Sequence, residues 1–121
     1  MSGFIIKIPP SGDVSIHEYV PRGRPSYQTI NAILGSRTYE PIQVRWNGKL
    51  YEAWVDEEGL LKQLPQNTTL QKHLAGRFEN YPGFIAGPGA IWIPYSKGNR
   101  DAVAFRASLD LAFIQPLENV K

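Results

Sequence analysis

The chain has 121 residues, 42% hydrophobic and 20% charged, with 13 basic against 11 acidic side chains and a sequence pI near 9.0. That length suits one domain with a core of its own, and the absence of cysteine excludes disulfide frameworks, thiolate metal sites and cysteine nucleophiles. A net charge of +2 with the two signs interspersed gives no case for a nucleic-acid surface.

From the N-terminus, Phe4, Ile6 and Ile8 alternate against Ile5 and Lys7, and Val14, Ile16 and Glu18 against Ser15, His17 and Tyr19. A turn of Pro9, Pro10, Ser11, Gly12 and Asp13 separates them, which predicts a hairpin or a strand followed by an edge strand. Pro21 and Pro25 bracket a basic loop, Val20 to Pro25, that excludes regular structure. Ser26 can then cap a helix in which Tyr27, Ile30, Ile33 and Leu34 recur at helical spacing, with Gly35 as the terminating residue. The clearest signal is Asn47-Gly48 between two alternating runs, the mark of a two-residue hairpin loop. Counting outward, Trp46 faces Lys49, Val44 faces Tyr51 and Ile42 faces Ala53. One face then carries Ile42, Val44, Trp46, Tyr51, Ala53 and Val55 and is read as the core side; the other carries Gln43, Arg45, Leu50, Glu52 and Trp54.

Asp56-Glu57-Glu58-Gly59 ends the second strand, and Leu60, Leu61 and Leu64 before Pro65 are expected to fold back into the core. Asn67 or Thr68 can cap a short helix through Leu70 to Leu74, stopped by Gly76. Arg77 to Gly83 has no clear period. A strand ending at Pro94 follows a Gly87-Pro88-Gly89 bend, and Tyr95 to Asn99 form a turn. The C-terminal part supports a strand at about Ala102–Arg106 and a short helix at about Leu109–Gln115. Residues 1–121 are thus expected to form one small α+β domain, mostly antiparallel sheet with two or three short helices.

This order of features resembles a family of short domains of unknown function found in phages, plasmids and some bacterial and eukaryotic genomes. The stretches that carry the likeness are FIIKIPPSGDVSIHEY, YQTINAILG, EEGLLKQLPQNTTLQKHLAG and GFIAGPGAIWIP, above all the acidic-acidic-Gly turn, Leu64-Pro65 and the Asn two residues after that proline. The chain departs from the pattern where Gly35-Ser36-Arg37 replaces the usual Gly-Gly-Tyr and where Arg77 to Pro82 looks inserted. The resemblance implies a shared fold and a stand-alone accessory role, and no activity or catalytic residue to carry over.

Catalytic chemistry finds little support in these residues. His17 and His73 are the candidate general bases, and neither has an acid at triad or metal-pair spacing. Asp56, Glu57 and Glu58 are consecutive at a strand end, which suits a solvated turn better than a pair of carboxylates across a cleft or a calcium loop. Gly83 to Gly89 lacks the lysine and hydroxyl residue of a phosphate cradle, and Pro88 removes an amide donor. Asn67-Thr68-Thr69 matches the glycosylation sequon, read as accidental in a chain without a secretory signal.

Arg22, Arg24 and Arg37, with Lys97, Arg100 and Arg106, offer cations for an anion if their loops converge, and Trp46, Trp54, Trp92, Tyr39 and Tyr95 offer stacking faces if exposed, a combination that suits single-stranded nucleic acid or a nucleotide, against solvated loops and core tryptophans. The expectation is therefore a non-catalytic accessory module that binds a protein partner or an anionic small molecule or nucleotide through Arg22, Arg24, Arg45 and Trp54, with no metal and no cofactor. A small hydrolase using a histidine with a carboxylate, and a sugar-binding domain, are the alternatives. No segment approaches the ~18 to 20 apolar residues of a spanning helix, and the start carries no basic leader, so a soluble, cytoplasmic protein is expected. A homodimer follows if the Trp54 face is left uncovered.

Overall fold

The computed structural model describes residues 3–46, 49–81, 83–94 and 118–120. Among them are strands β1 (Gly3–Ile8), β2 (Ser15–Tyr19), β3 (Tyr39–Trp46), β4 (Lys49–Asp56), β5 (Gly89–Pro94) and β6 (Glu118–Val120). Helices α1 (Tyr27–Leu34) and α2 (Thr68–Gln71) and a 3-10 turn at Gly76–Phe78 complete the set. The strands form one sheet in the order β3-β4-β5-β1-β2-β6, antiparallel except that β6 runs parallel to β2. A small α+β domain dominated by antiparallel sheet is what the sequence predicts. The Asn47-Gly48 loop, the Tyr95–Asn99 turn and the C-terminal strand and helix lie outside the described residues.

The strand sequences explain the sheet order. β1 and β5 are apolar on both sides of the pleat and sit in the middle, where both faces need cover. On one face Phe4, Ile6, Ile16, Ile42, Val44, Ala53, Val55 and Ile91 pack with Leu70, Leu74 and Ile85. On the other, Ile5, Tyr19, Trp54, Ala90 and Trp92 pack with Ile30, Ile33 and Leu34 of α1. The hairpin pairs as counted, from Trp46 with Lys49 to Tyr39 with Asp56. The expected single core side becomes two, because α1 covers the inner half of the second face.

Local signals act at both ends of α1. The Ser26 hydroxyl accepts from the Thr29 amide at 3.3 Å, and Gly35 adopts φ +66°. The Gly35 amide then reaches the Ala32 carbonyl and the Ser36 amide the Asn31 carbonyl, the paired bonds of a Schellman close.

Two expectations need correction. Leu61 is 83% exposed and Leu60 is also exposed, so neither is core. Residues 57–63 wind through successive turns, with Lys62 bonding back to Glu58 and Leu64 to Gly59, so their side chains fan around a surface coil. Only Leu64 turns inward, where a side chain on Gly87 would strike it. The second helix is also shorter than expected, ending at Gln71. Beyond it the chain runs along the outer edge of β3: the Arg45 amide donates to the His73 carbonyl at 2.7 Å and the Ala75 amide to the Gln43 carbonyl at 2.9 Å. That contact shields a sheet edge that would otherwise be open to pairing.

Asn67, completely buried, joins these parts. Its Nδ2 donates to the carbonyls of Ile8, at 2.7 Å, and Gly87, at 3.0 Å, while its Oδ1 accepts from the Leu70 amide as the N-cap of α2. Replacement by alanine leaves two buried carbonyls without these donors, at ~1 to 3 kcal/mol each, and removes a cap worth ~1 kcal/mol. Asn67→Ala is expected to lower the unfolding free energy in urea by about 3 to 7 kcal/mol, and a loss below about 1 kcal/mol contradicts this role.

Candidate functional site

Among the described residues, the β4–β5 ladder is shorter than the β1–β5 ladder. β5 pairs with β1 along its whole length, but with β4 only at Ala53–Ile91, Trp54–Ala90 and Val55–Gly89. Continued in register, Leu50 of β4 would face Pro94 of β5, a residue with no amide hydrogen to give. The direction of the β4 backbone follows from β3. Gln43 and Arg45 use their main-chain groups outward, on Ala75 and His73, so Ile42 and Val44 turn theirs toward Ala53 and Tyr51. Leu50 and Glu52 therefore turn their amides and carbonyls away from β3, toward β5. The ladder with β5 has ended before Leu50.

A groove of about 560 Å³ lies here, lined by Leu50, Tyr51 and Glu52 on β4, Trp92 and Pro94 on β5, and Gly23 and Arg24 from the loop before α1. A second depression of about 440 Å³ lies against the same part of β4, bounded by Pro41, Gln43 and Phe78. Leu50 is 50% exposed between them. The Arg24 guanidinium forms an ion pair with Glu52, and Glu52 Oε2 also accepts from the Trp54 indole Nε1 at 3.2 Å. The Arg24 side chain remains 65% exposed, and among the described residues its guanidinium bonds Glu52 alone. Four of its five N–H donors are left for a ligand.

Of the four residues expected at a site, Arg24 lines the groove, Arg45 and Arg22 are near it in the strand register and the loop, and Trp54 differs in role. Arg45 stands directly opposite Leu50 on the same face, and Arg22 is exposed on the Arg24 loop. Trp54 is only 1% exposed. α1 covers it and its ring meets Tyr39 edge-on at 6.3 Å, so it presents no stacking face. It reaches the site only through its indole bond to Glu52. Trp92 is likewise interior, edge-on to Tyr19 at 5.9 Å. The aromatic platform expected for a base or a sugar is therefore not built from Trp54 or Trp92, while the Trp46 ring and Tyr95 lie outside the described residues. Lys97, Arg100 and Arg106 lie outside them too. Arg37 does not join Arg24: it bonds both Glu58 oxygens, at 2.9 and 3.1 Å, beyond the far end of β4.

The remaining candidates have structural duties. Asp56 is buried, accepting from the Glu58 amide at 2.8 Å and from Lys62 Nζ at 2.7 Å, so the acidic run fixes a turn. Gly87, at φ +90°, donates its amide to the Pro65 carbonyl and forms a bend on the Leu64-Pro65 corner. His17 Nε2 is hydrogen-bonded to Ser15 Oγ at 2.8 Å, and His17 stands beside Glu118 in the β2–β6 register. The Ser15 side chain is itself buried, which keeps a substrate carbonyl from its hydroxyl. No cluster of histidine, aspartate and glutamate able to hold a metal occurs among the described residues, and none of their helices is long and apolar enough to cross a membrane. No family model, curated protein or solved structure matches the chain.

The sequence signal for the groove was present in Pro94, which reads only as a strand end until its neighbour in the sheet is known. His73, half-buried beside β3, has its pKa held below the ordinary 6.5, first by burial and then by the Lys72 ammonium. Between the folded and unfolded values the unfolded chain binds more protons, so the folded state is progressively disfavoured as pH falls below about 6.5. The melting temperature should therefore drop less in His73→Gln than in the native protein between about pH 7.5 and about pH 5, and equal drops contradict the assignment.

Proposed function

We propose that this protein is a non-catalytic accessory module, cytoplasmic in setting, that binds an anionic ligand at the groove beside Leu50. The ligand is an acidic segment of a protein partner or an anionic small molecule. The observation that carries this reading is Arg24: a mostly exposed guanidinium, oriented by Glu52 over an apolar floor of Leu50, Trp92 and Pro94, where the β4–β5 ladder has ended. Guanidinium is the side chain best suited to carboxylate or phosphate, because its planar fork donates two parallel hydrogen bonds to one anion. The groove's volume lies within the ~300 to 1,000 Å³ of ligand sites.

Each neighbouring group has a part. Glu52 holds Arg24 in place and Trp54 holds Glu52. Arg22 and Arg45 add positive charge at the rim, steering an anion toward the groove. An exposed pair such as Arg24–Glu52 adds at most ~1 kcal/mol to stability, so its placement bears on recognition more than on folding. The hydrolase alternative has one observation in its favour, the Ser15–His17 hydrogen bond, set against the burial of Ser15.

Tagged protein recovered from its own cell, with mass spectrometry of the proteins and small molecules retained, tests the reading. Arg22→Ala combined with Arg24→Ala should weaken retention of the specific ligand at least ~10-fold, the loss of one or two charge-assisted hydrogen bonds, while leaving the melting temperature nearly unchanged. Full retention by the folded double variant contradicts the site.

A further inference from the structure

Glu52 brings a charge of its own to the groove, opposite in sign to Arg24. We propose that the groove binds a free α-amino acid with a large apolar side chain, its carboxylate on Arg24 and its ammonium on Glu52. This rests on the anion-binding reading above and narrows the anion to a carboxylate that carries an ammonium beside it.

Three observations lead to it. First, the Glu52 carboxylate is only partly used. Its Oε2 takes both the Arg24 guanidinium and the Trp54 indole Nε1, and among the described residues its Oε1 accepts from no donor. An ionised carboxylate can accept about four hydrogen bonds over its two oxygens, so Glu52, 35% exposed, carries unspent acceptors at the groove it lines. Second, that carboxylate is fixed from beneath. Its anchor is the indole of Trp54, itself 1% exposed and covered by α1. A surface ion pair needs no buried anchor, whereas an acceptor that meets a ligand at a set geometry gains precision from one. Third, the two charges stand side by side. Arg24 keeps four of its N–H donors next to the free oxygen of Glu52. A ligand that is anionic alone is attracted by Arg24 and repelled by Glu52, and a phosphate dianion is repelled most. A ligand with both signs of charge satisfies both side chains.

These features specify the ligand. An α-amino acid holds its carboxylate and its ammonium on one carbon, so the two charges arrive next to each other, as Arg24 and Glu52 are. A peptide terminus brings only one of the two. The third substituent on that carbon is left to Leu50, Trp92 and Pro94, in a groove of about 560 Å³ that has room for a large side chain. An apolar side chain is favoured there, because it covers the half-exposed Leu50 and leaves water.

Two-dimensional NMR of the full chain tests this with L-phenylalanine, with 3-phenylpropanoate, which lacks the ammonium, with 2-phenylethylamine, which lacks the carboxylate, and with inorganic phosphate. Phenylalanine should shift the Leu50 and Glu52 amides and the Trp54 indole N–H. Each trimmed analogue should bind at least ~10-fold more weakly, because each gives up a charge-assisted hydrogen bond. Glu52→Gln keeps an acceptor for Trp54 and removes the charge. It should weaken phenylalanine to the level of 3-phenylpropanoate and leave 3-phenylpropanoate no weaker than before. If 3-phenylpropanoate binds the native protein as tightly as phenylalanine, or phosphate binds at Arg24 and phenylalanine does not bind, the amino-acid assignment is overturned and the anion-binding reading stands. If 2-phenylethylamine matches phenylalanine, or no probe perturbs the groove, both fail.

Discussion

The buried side-chain amide of Asn67 joins segments that lie far apart in the chain. Its two N–H groups are spent on the carbonyl at the end of β1 and on the carbonyl before β5, and its oxygen caps α2. Burying a primary amide is tolerable only when its hydrogen bonds are made, so the three segments have to arrive in one mutual arrangement. The Gly87 bend then lies against Leu64, and the chain beyond α2 is placed along β3. The central strands β1 and β5 are held at the end remote from the groove.

At the opposite end the same strands are held by their pairing and by the packing of Phe4, Ile93 and Trp92. β5 follows β1 to Pro94, while its ladder with β4 stops at Ala53–Ile91, and the proline has no amide hydrogen to give at the Leu50 position. The groove of the proposed site lies where the β4–β5 ladder stops short of the β1–β5 ladder. The frame anchored at Asn67 carries, at its other end, the groove between β4 and β5 with Arg24 at its rim. Recognition sites are often built this way, on irregular positions held by regular elements.

Much of the frame was legible in the residues. The Asn-Gly spacing and the alternation around it gave the register of β3 and β4, and the pair Ser26 and Gly35 bounded α1, because these signals are local. Other features depended on what lands where. Trp54 looked available for a ligand because the covering of its face depends on α1 crossing the sheet, which no period along the strand records. Leu60 and Leu61 looked like core because they are leucines, yet in a run of turns the rule of alternate faces does not apply. The three residues of β6, Glu118 to Val120, have no pattern of their own to announce a strand. Asn67 was visible as a cap, but its two long-range bonds were not. Arg22, Arg24 and Arg45 were named from charge and exposure, and what the sequence lacked was the strand order that sets β4 beside Pro94.

Hydrogen exchange at the Asn67 side-chain amide tests the frame most directly. The account predicts that both Nδ2 protons, buried and bonded to the Ile8 and Gly87 carbonyls, exchange on the order of 100-fold or more slowly than those of an exposed primary amide. Exchange at the rate of an exposed side-chain amide would mean that these bonds do not hold the segments together, and would contradict the account.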